Sequence, residues 1–487
     1  MFWQSLPAVF LALALPCLSA PSFENTAVVR IVDLGGSVTQ VTTTYAAKAL
    51  EAADTYTIAL TSEDRGHTSW IEAKLKGESA ALELREQPAD PESDVHLVDV
   101  VLPQRLEAGA ALTLVLDTVQ THATWPWPDH AKQLDDQALK YKTGLFVVSP
   151  YETHVQRTKL RLASPDVLSY TTPENLEAFT KDVPVTKSGA TITYGPYENI
   201  PPSATKDFAE STQQSVVVHY KYDYPVYEVT EYTRAAEISH WGANLNIQDE
   251  VTLYNAGPKL KGQFSRLDYQ GQAYFKRSNP LIIPGLALHL PAGVRDVYYY
   301  DQIGNVSTSA LRTPPKSASS SKRAANQFSL LEMRPRYPIL GGWKYSFTLG
   351  WDAPLGDSAS YDAKTGTYIA EVPIMLGLPA AVVDELTVKI VLPEGATDVD
   401  YVLPFPAISQ ASDTHITYLD TTGRPELIFK YKDLTEKHAQ AIYVSYKVST
   451  AAHLKKPITV ATALLGLFTF AVYARRIDLS IHKQRKQ

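Results

Sequence analysis

The sequence predicts a mainly β protein made of two tandem, related, antiparallel β-sandwich-like domains and one C-terminal transmembrane helix. Short runs of alternating apolar and polar residues, such as Val216–Tyr222, are separated by Gly, Pro and Asn, which is typical of strands and turns. Several of these runs recur in the same order in both halves of the chain. An apolar run near the C-terminus is long enough for a membrane helix.

The composition is that of a folded chain rather than a disordered one. Hydrophobic residues make up 45% and charged residues 20%, close to average globular usage, and the 28 Tyr and 32 Pro favour strands and turns. A length of 487 residues favours two or three domains. The net charge of -7 provides no basic field, so nucleic acid is excluded as a partner.

Residues 1–20 are predicted to be a signal peptide. The apolar run Ala8–Leu15 is followed by Pro16 and by small residues around Cys17, where a peptidase could cut. Cys17 is the single cysteine of the chain. Its removal would leave a mature protein without disulfides, thiolate catalysis or a cysteine metal site.

Five pairs of short patterns recur in order, which indicates a tandem duplication. Their offsets are 209, 233, 230, 224 and 226 residues. The boundary between the copies falls near Tyr224–Val226, so we expect β domain 1 to span 21–225 and β domain 2 to span 226–452. The pairs are Val38–Tyr45 with Ile247–Tyr254, Gly109–Leu116 with Gly342–Leu349, Lys159–Leu162 with Lys389–Leu392, Thr191–Tyr194 with His415–Tyr418, and Ser215–Lys221 with Ala441–Lys447.

The second copy contains a polar, Ser-rich stretch, Thr313–Gln327, which explains the largest jump in offset. We expect it to be a mobile surface loop. Helical signal is sparse: Asp129–Lys142 could form one helix and Thr435–Ala441 part of another. These are too few for parallel βαβ units, which favours an antiparallel sandwich in each copy.

The apolar run Ile458–Ala474 is predicted to be a transmembrane helix. At about 1.5 Å per residue it spans roughly 25 Å, close to the thinner biological bilayers of about 27 Å. Lys455 and Lys456 before it and Arg475 and Arg476 after it can reach the headgroups. The predicted anchor residues are Ile458, Leu464, Leu467, Phe470 and Ala474.

The charges on either side of this helix predict its orientation. The tail 475–487 carries more cations than the segment before the helix. The positive-inside rule then agrees with the signal peptide: both β domains are luminal, and the short basic tail is cytosolic. This is a single-pass, type I topology.

Asn305 begins the only Asn-x-Ser/Thr sequence with a non-proline middle residue in the chain, within a turn-rich segment. In a luminal protein we expect this residue to carry a glycan.

Two carboxylates, Asp398 and Asp400, have a spacing that could hold a divalent cation on a sugar diphosphate. They follow a turn, have no third ligand nearby in sequence, and are better interpreted as a solvated strand end. No nucleophile elbow, zinc motif or glycine-rich phosphate loop is present in the sequence, and the His residues show no metal-ligand spacing. Catalytic residues, metals and cofactors are therefore not expected.

Two aromatic runs could contact sugars or serve packing. Trp125 and Trp127 alternate with prolines, which favours a rigid extended connector over a platform for stacking pyranose rings. In Tyr298–Tyr300, alternation would bury Tyr299 and expose its neighbours, or the reverse. The sequence does not separate glycan contact from packing here.

Further motifs lie across nearly the whole luminal region: Phe23–Thr26, Tyr194–Tyr197, Ser239–Gly242, Leu260–Arg266, Asp296–Ser309, Arg334–Pro338 with Gly341–Trp343, Leu392–Ala396 and Thr417–Pro425. Together they resemble the ribophorin I family, subunit 1 of the oligosaccharyltransferase complex.

The resemblance implies a non-catalytic subunit of the endoplasmic-reticulum complex that transfers a lipid-linked oligosaccharide to asparagine. It would brace the complex, help present nascent polypeptides, and pack against the catalytic and small membrane subunits and membrane lipid. Animal members of the family extend into a cytosolic bundle that contacts the ribosome. Only 13 residues follow Ala474 here, as in the shorter fungal form, so ribosome contact is not expected.

Two other classes of function remain as alternatives. One is an independent luminal enzyme acting on glycans, with Asp398 and Asp400 as metal ligands. The other is a luminal glycan-binding receptor that uses Trp125 and Trp127.

Overall fold

The computed structural model describes residues 22–88, 94–275, 279–314, 328–378, 380–417, 420 and 422–477. The predicted signal peptide, residues 315–327 of the predicted Ser-rich loop and residues 478–487 of the predicted tail lie outside the described residues. The mainly β prediction is confirmed, because strands dominate both halves of the chain.

The first half, up to residue 225, contains short helices α1 (Ser62–His67) and α2 (Lys206–Ser211). Its strands are β1 (Phe23–Asp33), β2 (Val38–Ala49), β3 (Ala53–Thr61), β4 (Thr68–Leu75), β5 (Leu84–Glu86), β6 (Val95–Leu106), β7 (Ala111–Thr121), β8 (Thr124–Pro126), β9 (His130–Ala131), β10 (Ala138–Gly144), β11 (Thr153–Arg161), β12 (Val167–Tyr170), β13 (Val185–Ser188), β14 (Thr191–Ile200) and β15 (Ser215–Lys221).

The second half contains α3 (Arg266–Tyr274), α4 (Leu355–Ser358) and a 3-10 turn at Glu436–His438, and it is followed by the long helix α5 (Thr450–Arg476). Its strands are β16 (Tyr227–Ser239), β17 (Asn244–Asn255), β18 (Lys259–Leu260), β19 (Ile282–Ile283), β20 (Leu286–Pro291), β21 (Arg295–Asp301), β22 (Gly304–Asn305), β23 (Ser309–Arg312), β24 (Phe328–Met333), β25 (Ile339–Leu340), β26 (Lys344–Pro354), β27 (Ala359–Asp362), β28 (Thr367–Pro373), β29 (Val382–Val391), β30 (Ala396–Val402), β31 (Ser409–His415), β32 (Arg424–Leu434) and β33 (Ala441–Val448).

The two halves repeat the same strand order. The large sheet runs β13-β14-β11-β1-β2-β7-β4 in the first half and β31-β32-β29-β16-β17-β26-β21-β22 in the second. A four-stranded sheet, β12-β15-β10-β8, is matched by β30-β33-β28-β27, and a three-stranded sheet, β3-β6-β5, by β20-β24-β23. This shared topology supports the predicted duplication. The predicted domain boundary at residues 225 and 226 stays a prediction.

The large sheets are not wholly antiparallel. At the centre of each, two strands run parallel: β1 beside β11, and β16 beside β29. A parallel pair needs a long crossover connection. Here several intervening strands provide this connection. The predicted antiparallel pairing is confirmed for the other strand pairs of the large sheets, and these two central pairs depart from it.

Four of the five sequence pairs fall on strands at equivalent positions, although β2 and β17 are offset by three residues from the alignment of the sequences. The remaining pair, Thr191–Tyr194 with His415–Tyr418, is wrong. Thr191 begins β14, whose counterpart is β32, whereas His415 ends β31. The short motif shared by these two segments therefore arose without structural equivalence.

The helix predicted at Asp129–Lys142 is wrong. This segment contains β9 and most of β10. Strand β9 pairs in parallel with β18 of the second half, and alternate side chains of β10 point into the core. Tertiary pairing thus overrides a helix-like composition. Of the helix expected within Thr435–Ala441, only a single 3-10 turn forms.

Each half has its own hydrophobic core. The second half is built around one large cluster that includes Trp351 and Phe429, and the first half around two clusters, centred on Tyr141 and Tyr56. A fourth, small cluster joins Ala131 of the first half to Leu281, Ile282 and Leu340 of the second. The β9–β18 pairing and this cluster connect the halves directly.

Candidate membrane anchor and functional sites

Helix α5 contains the predicted transmembrane run and extends it by eight residues at its N-terminal end and two at its C-terminal end. Ser449 caps its N-terminus, and the Ser449 hydroxyl accepts a hydrogen bond from the backbone N–H of Ala452 at 3.1 Å. Among the described residues, α5 is the one helix long and apolar enough to cross a membrane, and none of its residues is buried. Apolar side chains exposed all round a helix indicate a lipid environment. The predicted anchor residues Ile458, Leu464, Leu467, Phe470 and Ala474 are all exposed.

The first turns of α5 are fixed to the second half by a cluster of ion pairs. Lys456 Nζ lies 2.5 Å from Asp420 Oδ1 and 3.3 Å from Glu394 Oε2. Arg424 Nε lies 3.2 Å from Asp420 Oδ2, and its NH1 lies 3.2 Å from Glu237. Lys456 therefore points to the β domain, which differs from the headgroup contact expected for it.

Asp420 is the centre of this cluster. Its side chain is fully buried, and it also accepts hydrogen bonds from the N–H and hydroxyl of Thr417 at 2.9 and 2.6 Å. Burial alone would raise the pKa of Asp420, but the hydrogen bonds from Lys456 and Thr417 and the charge of Arg424 hold the pKa well below its ordinary value. The carboxylate therefore stays ionised across the physiological pH range.

Ring contacts extend the junction at the first turn of α5. The Trp241 and His453 rings stack with centroids 4.7 Å apart and planes 7° apart. His240 Nε2 lies 2.9 Å from the Tyr446 hydroxyl. A Cβ atom on Gly395 would lie 2.6 Å from Ala452 Cβ, so this position requires glycine for the helix to approach. The arrangement sets the direction in which the helix leaves the β domain.

Asn305 lies at the end of the short strand β22 and is exposed. Its carbonyl accepts a hydrogen bond from Arg336 NH2 at 2.9 Å, and Arg336 Nε lies 2.5 Å from Asp301 Oδ2. The next residue, Val306, is buried. The sequon asparagine is thus presented to solvent from a fixed turn, which is compatible with glycosylation, and its occupancy stays a prediction.

Asp398 and Asp400 lie on β30 and are exposed. Asp398 Oδ2 lies 3.0 Å from Lys447 Nζ, and Asp400 accepts from the backbone N–H of Tyr401. The pairing between β30 and β33 is interrupted between Thr397 and Asp400. Within the described residues the two aspartates belong to no group of three metal-ligating side chains. This geometry favours the solvated strand end over a metal site.

The tryptophan run forms part of an edge strand, β8, in the four-stranded sheet of the first half. Trp125 is 39% exposed and Trp127 is 50% exposed. Lys140 Nζ lies 4.0 Å from the centroid of the Trp127 ring, and Trp125 lines the large cavity of the first half. The extended backbone agrees with the prediction, while the choice between packing and sugar contact stays open.

Of the two alternations predicted for Tyr298–Tyr300, the structure has the first. Tyr299 is buried, with its hydroxyl 2.7 Å from that of Tyr345. Tyr298 and Tyr300 stack on the other face, with centroids 6.0 Å apart. The central tyrosine therefore serves packing.

A charged cluster that the sequence did not predict joins the two halves. His122 follows β7 in the first half, and its Nε2 lies 3.1 Å from Asp384 Oδ1 and 4.0 Å from Asp433 Oδ1 of the second half. Its Nδ1 lies 3.3 Å from Glu228 Oε1. Within the described part of the chain, His122, Asp384 and Asp433 are the one group of three side chains close enough to hold a metal ion.

The electrostatics of this cluster identify it as an ion-pair contact. Hydrogen bonds with Asp384 and Glu228 raise the pKa of His122 to about 10. Burial raises the pKa of Asp433. A protonated imidazole donates to the carboxylates of Asp384 and Glu228. His122 lies more than a hundred positions from each of its partners, so no local spacing in the sequence could have revealed the contact.

Comparisons with known proteins confirm the resemblance. The profile of the Ribophorin I family matches residues 23–475. Dolichyl-diphosphooligosaccharide–protein glycosyltransferase subunit 1B of Oryza sativa subsp. japonica is 32% identical over 387 residues, which cover 80% of this chain and 75% of that protein. Subunit 1 of Caenorhabditis elegans is 31% identical over 87% of this chain and 67% of its own, and subunit 1A of Arabidopsis thaliana is 28% identical over 98% and 74%. The chain therefore belongs to the ribophorin I family.

Proposed function

We propose that this protein is a non-catalytic subunit of the endoplasmic-reticulum oligosaccharyltransferase complex. It supports the transfer of a lipid-linked oligosaccharide to the asparagine of Asn-x-Ser/Thr in nascent polypeptides, by bracing the complex and helping to present substrate. The observation that carries the proposal is the naming of relatives in plants and a nematode as subunit 1 of this transferase, over most of the chain.

The anchor and its junction support a bracing role. The exposed apolar surface of α5 suits a single membrane crossing, and the Lys456–Asp420 contact fixes its first turns to the second half. With the basic residues Arg475 and Arg476 on the cytosolic side, the β domains lie in the lumen. The helix is then free to pack against other membrane subunits, and the β domains against luminal ones.

The exposed pair Asp398 and Asp400 supports an accessory role. An ion pair with Lys447 occupies Asp398, and the break in strand pairing separates the two aspartates. The active site then belongs to another chain of the complex. Neither the glycan-binding receptor nor the independent enzyme gains a specific observation from the structure.

Co-purification tests the proposal. The full-length chain, tagged and extracted in a mild detergent, is expected to bring down a multi-span glycosyltransferase subunit together with small membrane subunits. The purified chain alone is expected to transfer no glycan to an acceptor peptide, whereas the complex does so. Release of the chain alone, or glycosylation by the chain alone, would refute the proposal.

A matched pair of variants separates the accessory subunit from the enzyme. Replacing Asp398 and Asp400 by Ala is expected to leave the activity of the complex unchanged. Replacing Asp413 and Glu385, two exposed carboxylates elsewhere on the large sheet, gives the same change in charge as a control. Activity lost only in the Asp398/Asp400 variant would support the enzyme instead.

A further inference from the structure

The first half encloses a cavity of about 460 Å³ beneath its large sheet. This volume lies in the range of small-molecule sites. Its wall combines apolar side chains, among them Val41, Leu116 and Phe146, with hydroxyl groups and the guanidinium of Arg30. Arg30 is only 7% exposed, and among the described residues its Nε has no hydrogen-bond partner.

Arg30 has a structural counterpart in the second half, Arg234. Both follow a bulge by the same number of residues: β1 is irregular between Asn25 and Ala27, and β16 between Val229 and Glu231. Both guanidinium groups donate to the carbonyl of the last residue in the equivalent strand. Arg30 donates to Gly144 of β10, and Arg234 donates to Pro373 of β28. The two arginines therefore occupy one position of the repeated fold.

In the second half this arginine is neutralised. Arg234 Nε lies 2.7 Å from Asp249 Oδ1, and its NH2 lies 2.6 Å from Oδ2. Its NH2 also donates to the Tyr232 hydroxyl at 3.0 Å, and its guanidinium lies 5.5 Å from the Trp351 ring. Arginine, aspartate and tryptophan together fill the space between the sheets.

In the first half, threonine occupies the positions equivalent to two of these partners, Asp249 and Trp351. Asp249 pairs with Arg234 across the strands, and the residue paired with Arg30 in the same way is Thr43. Continuing through the next strand pairs, Leu349 corresponds to Leu116, and Trp351 to Thr118. Thr43 and Thr118 both line the cavity. Because the first half has no carboxylate and no indole at these two positions, its buried guanidinium lies beside an open space.

Three acidic residues line the cavity: Asp94 is exposed, and Glu63 and Asp64 have other partners. Glu63 Oε1 lies 3.0 Å from Lys142 Nζ, and Asp64 Oδ1 accepts from Gln120 Nε2 at 3.1 Å. A buried charge without a partner is costly, so this guanidinium favours an anion from outside the chain. The negative charges of Glu63 and Asp64 disfavour a doubly charged anion such as phosphate.

We propose that this cavity binds a carboxylate on Arg30. A carboxylate matches the planar donors of a guanidinium, with the hydroxyl of Thr43 as a further donor and the apolar wall covering the rest of the ligand. The hydroxyl of Thr118 donates to the carbonyl of Val41. The carboxylate is that of a small organic acid or of a peptide terminus. The site does not depend on membership of the complex, and its test uses the purified chain.

Calorimetric titration of the full-length chain in detergent tests the site. The probes are N-acetyl-alanyl-alanine, the amide of the same dipeptide, acetate and inorganic phosphate. Saturable binding of the acid is expected, with the amide and phosphate weaker by about tenfold or more. Tighter binding of the dipeptide acid than of acetate would assign a peptide terminus, and equal binding a small acid. Equal binding of the acid and the amide, or no saturable binding, overturns the proposal.

Two variants introduce into the first half the side chains that fill the equivalent space in the second half. Thr43→Asp supplies the missing carboxylate, and Thr118→Trp supplies the missing indole. Each is expected to abolish carboxylate binding while the thermal midpoint stays at or above that of the natural chain. Thr44→Asp adds the same charge on the opposite face of β2 and is expected to retain binding. Unchanged binding by a folded Thr43→Asp chain, or equal loss in Thr44→Asp, refutes the site.

Discussion

Replacing Asp420 by Asn is expected to loosen the membrane anchor from the second half. The substitution keeps the shape of the side chain and an oxygen for Thr417, but it removes the negative charge that faces Lys456 at 2.5 Å and Arg424 at 3.2 Å. Removing one partner of a buried ion pair costs about 3–5 kcal/mol, because the other charges lose their compensation. Lys456 and Arg424 are partly exposed, so we expect the lower end, about 3 kcal/mol.

Denaturant unfolding of the full-length chain in detergent, followed by tryptophan fluorescence, measures this loss. A pair of spin labels, one on β32 and one on α5, measures the accompanying release of the helix as a broader distance distribution. Asp398→Asn is the matched control, since it also removes one carboxylate from an ion pair with lysine, but at an exposed site where such pairs contribute about 0–1 kcal/mol. Equal losses in the two variants would refute the reasoning, as would an unchanged distance distribution in the Asp420 variant.

The same cluster predicts how the junction responds to acid. Because the folded-state pKa of Asp420 is lowered, its contribution is complete above the unfolded pKa of about 3.9 and is lost only as pH falls towards the folded value. The difference in stability between the natural chain and Asp420→Asn is therefore expected to stay constant from pH 5 to 8. A difference that shrinks within this window would contradict the assigned pairing.

Three further outcomes are expected. His122→Gln is expected to weaken the contact between the halves by about 1 kcal/mol, since the imidazole is partly exposed. Because the folded-state pKa of His122 is raised to about 10, the stability difference between the variant and the natural chain is fully present below about pH 6.5 and is lost as pH rises through 10. A stability difference that grows with pH in denaturant unfolding would contradict this contact. Asn305→Gln is expected to abolish the mobility shift that an N-glycan-removing glycosidase produces on the natural chain, and a natural chain with no shift would contradict glycosylation. Trp351→Ala is expected to lower the free energy of unfolding by about 3–5 kcal/mol, because the indole is fully buried. A loss below about 1 kcal/mol would contradict the packing described for the core of the second half.

The strands that could be predicted from the sequence are those with regular alternation and a counterpart in the other half. Ser215–Lys221 and Ala441–Lys447 both form such strands, and they occupy equivalent positions next to β10 and β28. The segment Asp129–Lys142 could not be predicted, because β9 pairs with β18 and β10 pairs with β15, and both partners lie far away in sequence. Local pattern determines an element only where distant pairing does not compete with it.

The candidate sites also differ in whether the local sequence could predict them. Continuous apolar character predicts a membrane helix from composition alone, and the structure has α5 in that place. The partners of Lys456 lie on segments 36 and 62 residues earlier, and His122 contacts residues of three separate strands of the second half. Such contacts are produced by the tertiary fold, so spacing in the sequence carries no signal for them.

The duplicated fold explains why one half is suited to hold the anchor and the other to hold a ligand. In the second half, Trp351 and the buried pair of Arg234 with Asp249 leave little free space below the sheet that carries Glu237. A close-packed core deforms little, which suits a domain that holds a transmembrane helix in a fixed direction. In the first half, Thr43 and Thr118 leave that space unfilled, and among the described residues the Nε of Arg30 has no hydrogen-bond partner. The same position of the repeated fold is thus filled in one half and open in the other, and the proposed carboxylate site depends on this difference.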